Sequence, residues 1–265
     1  MGYPLRIILT HDVDWPPRGP GVDHVLARKD RFEQDVISKV LEEGFNPYNG
    51  ISELMRIEKD FDVRSTFFFR PKYDDGVLLD DYEETVRNLV RGGWEVGVHV
   101  NDASTLMSIK GEKNAVEKIA GKTWGSRVHY LKVHDPSLFE AAGFAYDSSS
   151  MFRRDTVDAR NMGFFKIGKL IVFPITIMDT YLFSYAHVTE ENVLDTIGKA
   201  VDMAANKGFM TILWHDCSIR MRGGRMYPLI LETLVSKENI SLIRGIDAYN
   251  AIADNELKDS VARET

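Results

Sequence analysis

The chain has 265 residues, 44% apolar and 28% charged, the balance of a folded globular domain and not of a disordered, collagen-like or coiled-coil chain. With 33 Lys and Arg against 40 Asp and Glu the net charge is −7, which argues against nucleic acid or anionic membrane as a general partner, because phosphate binding needs a basic surface. The single cysteine, Cys217, excludes an intrachain disulfide and a Cys-rich zinc site, so any metal must be held by histidines and carboxylates.

In chain order, Arg6–Asp12 (RIILTHD) reads as a buried strand. Its apolar stretch is too short for a signal-peptide core, and nothing along the chain approaches the roughly 18 apolar residues of a membrane span; the expected location is cytoplasmic. The Pro-rich stretch Trp15–Asp30 reads as a long loop. Phe32–Glu43 and Ile51–Asp60 have helical spacing, Val63–Phe69 is a strand, and Tyr82–Arg91 is a helix stopped by Gly92 and Gly93, a C-cap signal. Trp94–His99 is the third strand, Leu106–Ile119 a helix, and Arg127–Val133 is extended. Asp135-Pro136-Ser137 opens a short helix ended by Gly143, Phe144–Tyr146 is a short strand, and Leu170–Ile177 is apolar and β-branched. Glu190–Asn206 is a helix, Phe209–Trp214 a strand, Tyr227–Val235 a helix, Ile240–Ile243 extended and Ile246–Leu257 a last helix. Residues 1–257 are predicted to form one domain and 258–265 a frayed tail.

Strands alternating with helices imply parallel βαβ units, either a doubly wound sheet or a barrel. No GxGxxG follows the first strand and no GxxxxGK[ST] is present, so the two common phosphate-cradling loops are absent. In such folds the functional groups sit at the C-terminal ends of the strands. Here those ends carry Thr10-His11-Asp12-Val13-Asp14, Val98-His99, Arg127-Val128-His129, Tyr146-Asp147-Ser148 and His215-Asp216. Period-two alternation puts Thr10, Asp12 and Asp14 on one face, and likewise Glu95, Gly97 and His99, then Arg127 and His129, then Thr211 and His215. A lone strand-end Asp or His is more often a cap or a loop hydrogen bond. Asp12, Asp14, His99, His129 and His215 on separate ends point to one shared cavity.

Two carboxylates and several histidines without thiolates suit a divalent metal, Zn²⁺ first, with Co²⁺, Ni²⁺ or Mn²⁺ as alternatives. With a spare carboxylate as base and a spare imidazole as acid, this is the equipment of metal-assisted hydrolysis.

These segments resemble the polysaccharide deacetylase (NodB-homology) family, carbohydrate esterase family four. LTHDVDW is similar to its first motif, STFFF to the strand that follows, and GGWEVGVHVND to the stretch carrying the metal histidines. Arg127 with GFAYDSSS is similar to the third motif, and TILWHD to the closing one. The resemblance implies a single-domain, distorted (β/α) barrel of seven or eight parallel strands. It implies Asp12 as catalytic base, Asp14 and His99 as metal ligands, Arg127 orienting Asp12, and His215 as catalytic acid. The activity implied is removal of an acyl group, acetyl above all, from an N-acylated sugar or related amide. A small molecule or an oligosaccharide would be the substrate, and the oligomeric state stays open. Two alternatives are a non-catalytic barrel that binds carbohydrate or a partner, and a hydrolase of a small non-glycan amide.

The pattern departs from the family at two places. In the second motif the second metal histidine would fall at Ala103 and the Ser/Thr at Val100, and the third-motif proline would fall at Tyr130. His129 and Asp102 are the candidates for the missing ligand, and His129 is placed first because it shares a predicted strand face with Arg127. Trp15 and Asp147 are the expected substrate contacts. His11, which alternates away from Asp12, is expected in the core; His24 and His187 at the surface; His134 near a helix start; and Cys217 as a buried free thiol.

Overall fold

The computed structural model describes residues 4–264. Short aromatic and β-branched runs form strands buried on both faces, as parallel sheets require: TFFF and EVGVHV have no exposed position. Ten strands occur among the described residues: β1 Leu5–Val13, β2 Thr66–Phe69, β3 Glu95–Val100, β4 Gly125–Val128, β5 Tyr146–Asp147, β6 Phe165–Ile167, β7 Leu170–Val172, β8 Ile177–Met178, β9 Phe209–Leu213 and β10 Ile240–Ile243. The helices are α1 Val22–Leu26, α2 Gln34–Glu43, α3 Ile51–Asp60, α4 Glu83–Arg91, α5 Leu106–Ala120, α6 Pro136–Ala141, α7 Asp179–Ser184, α8 Val193–Ala204, α9 Tyr227–Val235 and α10 Gly245–Glu264.

One sheet runs β6-β7-β5-β4-β3-β2-β1-β9-β8, with β10 also paired to β1. Every pairing is parallel except β6–β7. β1 pairs with β10 through Leu5–Ile8 and with β2 through Thr10–Val13, so its second half carries the wall that bends toward β4. The bend is strong. Arg127 on β4 reaches across to Asp12 on β1, with Nη1 2.9 Å from Oδ1, although two strands lie between them and flat neighbours sit about 4.8 Å apart. The sheet is therefore a curled half-barrel with helices outside. The main core lies between sheet and helices and includes Ile7, Leu9, Phe67, Phe69, Val86, Leu89, Ile197 and Ile230.

Local chemistry sets the boundaries. Thr105 caps α5 by accepting from the Ser108 N–H at 3.0 Å, and Asp135 caps α6 ahead of Pro136, both standard N-terminal devices. After α4 the chain turns at Gly93 with φ 88°, a conformation glycine adopts without strain.

Several expectations are corrected. Among the described residues the strand count is ten, not seven or eight, and one strand is antiparallel because β6 and β7 form a hairpin around Gly168. The extended run expected over Arg127–Val133 stops at Val128; His129–Leu131 is a tight helical turn with φ 60° at Tyr130 and 48° at Leu131. The apolar run Leu170–Ile177 is split between β7 and β8 around Pro174, which cannot donate to a ladder. The loop at 15–30 contains α1, and α10 runs on to Glu264, Thr265 lying outside the described residues. Among the described residues no helix is long and apolar enough to cross a membrane.

Candidate active site

Asp12 and Thr10 point inward from β1, while His11 between them points outward. His11 Nε2 meets Glu58 Oε1 at 2.7 Å in the core. Asp14 follows the end of β1. His99 on β3 is registered beside Arg127 on β4. Its Nδ1 lies 3.1 Å from the Arg127 carbonyl, which assigns that nitrogen the proton and leaves Nε2 as a free donor to a metal. His99 Nε2 is 3.2 Å from Asp14 Oδ1. His129 Nδ1 is 3.0 Å from His99 Nε2 and 3.4 Å from Asp14 Oδ1.

Asp14, His99 and His129 thus place three donor atoms within 4.8 Å of one another. Asp14 Oδ1 and His129 Nε2 are buried without a hydrogen-bond partner, a state that normally costs free energy. Burial would raise the Asp14 carboxyl, but the adjacent His129 and His99 imidazoles and the charge of His215 hold it well below the usual carboxylate range. Burial lowers the His129 imidazole against the pull of Asp14, which favours the neutral form that ligates. A His₂Asp set of this kind fits Zn²⁺ and similar divalent ions.

Two assemblies flank these residues. Arg127 is fully buried; besides Asp12 it donates to Thr10 Oγ1, to the Ser148 carbonyl and to Ser148 Oγ. That leaves Asp12 Oδ2 facing His99 Nε2 at 3.8 Å. On the other assembly, His215 Nδ1 lies 2.6 Å from Asp179 Oδ1, and its Nε2 is 3.7 Å from Asp14 Oδ2. Burial alone would lower the His215 imidazole, but Asp179, with Asp14 and Asp12 behind it, overrides burial and raises it to about 10.

Asp12, Asp14, His99, His129 and His215 line one cavity of about 190 Å³, whose remaining walls include Val128, Leu131, Met178 and Tyr181. An adjoining cavity of about 890 Å³ shares Asp14, His129 and Tyr130 and adds Trp15, His24 and Arg70.

Solved structures with this architecture exist. A Mycobacterium smegmatis protein described as a polysaccharide deacetylase superposes with a TM-score of 0.67 at 18% identity, over 97% of this chain and 92% of its own. A Streptococcus mutans CE4 esterase gives 0.51 at 14% identity, over 91% and 85%. A mutant of a CE4 family pseudoenzyme with restored enzymatic activity gives 0.53 at 12%, over 94% and 69%. The chain has the fold of the polysaccharide deacetylases. No protein-family model and no curated protein matches the sequence.

Within this deacetylase fold the other expected residues fall as follows. Trp15 is half-buried on the larger cavity, edge-on to His24 with ring centroids 4.9 Å apart; His24 is thus a cavity wall and not plain surface. Asp147 does not reach either cavity. It is 1% exposed and accepts from Ser126 Oγ, Ser149 N and Ser149 Oγ, so it ties β4 to the chain after β5. Asp102 is exposed and accepts the Ser104 N–H at 3.0 Å, apart from the donor cluster. His129 joins that cluster by a route other than the expected strand face: the left-handed turn at Tyr130 and Leu131 holds it there.

Two residues escaped the sequence reading. Asp179 follows β8, and the strand-end rule that picked out Asp12 and His215 applies to it once β8 is recognised. Arg70 follows TFFF and donates to the Asp14 carbonyl, Asn101 Oδ1 and Asp74 Oδ1, buttressing the Asp14 backbone.

Proposed function

We propose that the protein is a metal-dependent hydrolase that removes an acyl group from an N-acylated sugar or a related amide. One observation carries this reading: an arginine-held carboxylate and a carboxylate-held imidazole converge on a single Asp–His–His cluster. Asp14, His99 and His129 would hold the ion, with Zn²⁺ favoured and Co²⁺, Ni²⁺ or Mn²⁺ as alternatives. When bound, the ion supplies Lewis acidity, polarising the amide carbonyl and acidifying the attacking water.

The chain's own groups do the rest. Arg127 occupies Asp12 Oδ1, so Oδ2 is the atom that takes the proton of the attacking water. Asp179 holds His215 Nδ1, so the Nε2 proton is the one passed to the leaving amine as the C–N bond breaks. Water, amide and protons balance to a carboxylate and an amine. Val128 and Leu131 give the inner cavity apolar walls for the acyl group. Trp15 and Tyr130 wall the outer cavity, where a sugar ring would sit; aromatic faces beside polar groups suit that ligand.

Retention of both base and acid favours an enzyme over a carbohydrate-binding barrel, which needs neither. The test is acetate release from N-acetylglucosamine oligomers by protein loaded with Zn²⁺ or Co²⁺. Asp12→Asn and His215→Ala should each cut the rate by about 10²–10⁴-fold. A metal-loaded protein that binds N-acylated glucosamines yet hydrolyses none of them, or variants as active as the parent, would refute the reading.

A further inference from the structure

A third cavity, of about 300 Å³, lies against the inner one and shares two of its walls, Met178 and Tyr181. Its lining is mostly apolar and includes Met151, Ile177, Leu182, Val188 and Met203. Met203 is 42% exposed on α8 although it is a large apolar side chain, and Met151 is half-buried. Arg154 and Lys199 stand at the polar rim. Lys199 is paired with Asp195 at 2.7 Å, and the Arg154 guanidinium lies over the Tyr181 ring, 5.3 Å from its centroid.

The two cavities are joined by packing as well as by shared walls. Met178 clusters with Ile175 and Leu213. Leu131 from the inner cavity and Met151 from the third one pack on that same cluster, beside Tyr181. Apolar packing therefore links Leu131 of the inner cavity, through Met178, to Met151 of the third. Met178 is a wall of both spaces, and methionine is the side chain best able to swing aside, being unbranched and flexible. An acetyl methyl would leave this second space unused.

We propose that this cavity binds the distal part of a substrate's acyl chain, so that the protein removes a linear acyl group longer than acetyl. The inference rests on the hydrolase reading and names its substrate class. The bond broken is the same amide C–N bond: water delivers its oxygen to the acyl carbon and its proton to the amine, and a medium-chain carboxylate leaves in place of acetate. Each methylene that enters the apolar space gains about fourfold in binding, until the chain reaches the Arg154 and Lys199 rim.

The experiment compares glucosamine carrying N-acetyl, N-butyryl, N-hexanoyl and N-octanoyl groups, using Zn²⁺-loaded full-length protein. In parallel, octanoate and acetate are titrated against protein labelled with ¹³C at the methionine methyls. The expected result is kcat/KM rising at least tenfold from acetyl to octanoyl, with octanoate and not acetate shifting the Met151, Met178 and Met203 signals. Ala186 lines this cavity and not the inner one, so Ala186→Phe narrows it and should abolish the octanoyl advantage while leaving acetyl turnover unchanged. Met203→Glu, at an exposed position where folding is not at risk, should weaken octanoate binding several-fold. Acetyl turnover equal to or above octanoyl turnover overturns the proposal and leaves the hydrolase reading standing. If no amide is hydrolysed, the hydrolase reading fails, and the octanoate titration still decides whether the cavity takes an acyl chain.

Discussion

Asp179 grips His215 twice: Oδ1 lies 2.6 Å from the ring Nδ1, and Oδ2 accepts the His215 backbone N–H at 2.9 Å. Ser218 Oγ donates to the same carboxylate. One side chain on α7 thus sets both the position and the charge of the imidazole after β9. Asp179→Asn keeps the shape and removes the charge. In metal-free protein the His215 imidazole should then fall from about 10 toward its ordinary 6.5. The sign for stability follows, because the folded state raises this group: the contribution is complete below pH about 6.5 and is lost as the pH rises through about 10. The variant should lose that contribution, and the alkaline limb of its activity should move to lower pH. A ¹⁵N NMR titration of the ring checks the shift, and an unmoved midpoint would show that Asp14 and Asp12, and not Asp179, hold it up.

His129 and Asp102 give opposite expectations for metal binding. His129 lies in the donor cluster with Asp14 and His99, whereas Asp102 is exposed and spent on Ser104. In calorimetric Zn²⁺ titrations, His129→Ala should weaken affinity by about 10–100-fold, and Asp102→Ala should leave it unchanged. The reverse ranking would move the third ligand out of the turn after β4.

How legible these residues are in the sequence depends on the length of the element carrying them. β1, β3 and β9 are five to nine residues long, so their apolar runs stand out and their terminal Asp12, His99 and His215 can be read off. β8 has two residues and no periodicity of its own, which is why Asp179 is invisible until the sheet is seen. β6 has two exposed positions of three, so no burial pattern announces the antiparallel hairpin. The turn at Tyr130 and Leu131 is hidden for a different reason. Left-handed backbone is normally announced by Gly or Asn, and neither stands at these two positions; tertiary packing overrides local preference. His129 is therefore found at the centre through a turn that no local signal predicts.

Glu58 offers a stability test independent of catalysis. Its side chain is completely buried. Ser65 Oγ at 2.8 Å, Trp94 Nε1 at 2.6 Å and Tyr227 Oη at 2.8 Å all donate to it, and His11 Nε2 lies 2.7 Å away. His11 Nδ1 in turn sits 2.6 Å from the Trp214 carbonyl, so the network ties α3 and α9 to β1 and to the chain just before His215. Glu58→Ala strands several buried polar groups at once and should cost about 3–5 kcal/mol. Glu42→Ala on the exposed side of α2 should stay within about 0.5 kcal/mol. Urea denaturation of both variants measures the difference, and equal midpoints would remove the network from any account of stability.

Tyr130 combines strain with exposure. Its φ is 60°, its side chain is 68% exposed, and its ring centroid is 3.8 Å from that of His129. It also lines both the inner and the outer cavity. A left-handed non-glycine residue costs about 1–2 kcal/mol, and an exposed aromatic repays little of that by burial, so the ring is retained for what it contacts. Tyr130→Gly relieves the strain at the cost of a freer unfolded chain, and should leave stability unchanged or about 1 kcal/mol higher. Tyr130→Ala removes the ring and keeps the strain, and should be no more stable than the parent. Both variants should raise KM for an N-acylated sugar by about 2–12-fold, the worth of one aromatic contact, with kcat changed far less because the base and acid are untouched. The same substitutions should leave KM unchanged for a small N-acyl amide that carries no sugar ring. Thermal unfolding with steady-state kinetics on the two substrate types separates the effects; an equal KM rise for both would mean that Tyr130 acts by holding His129 and not by meeting the sugar.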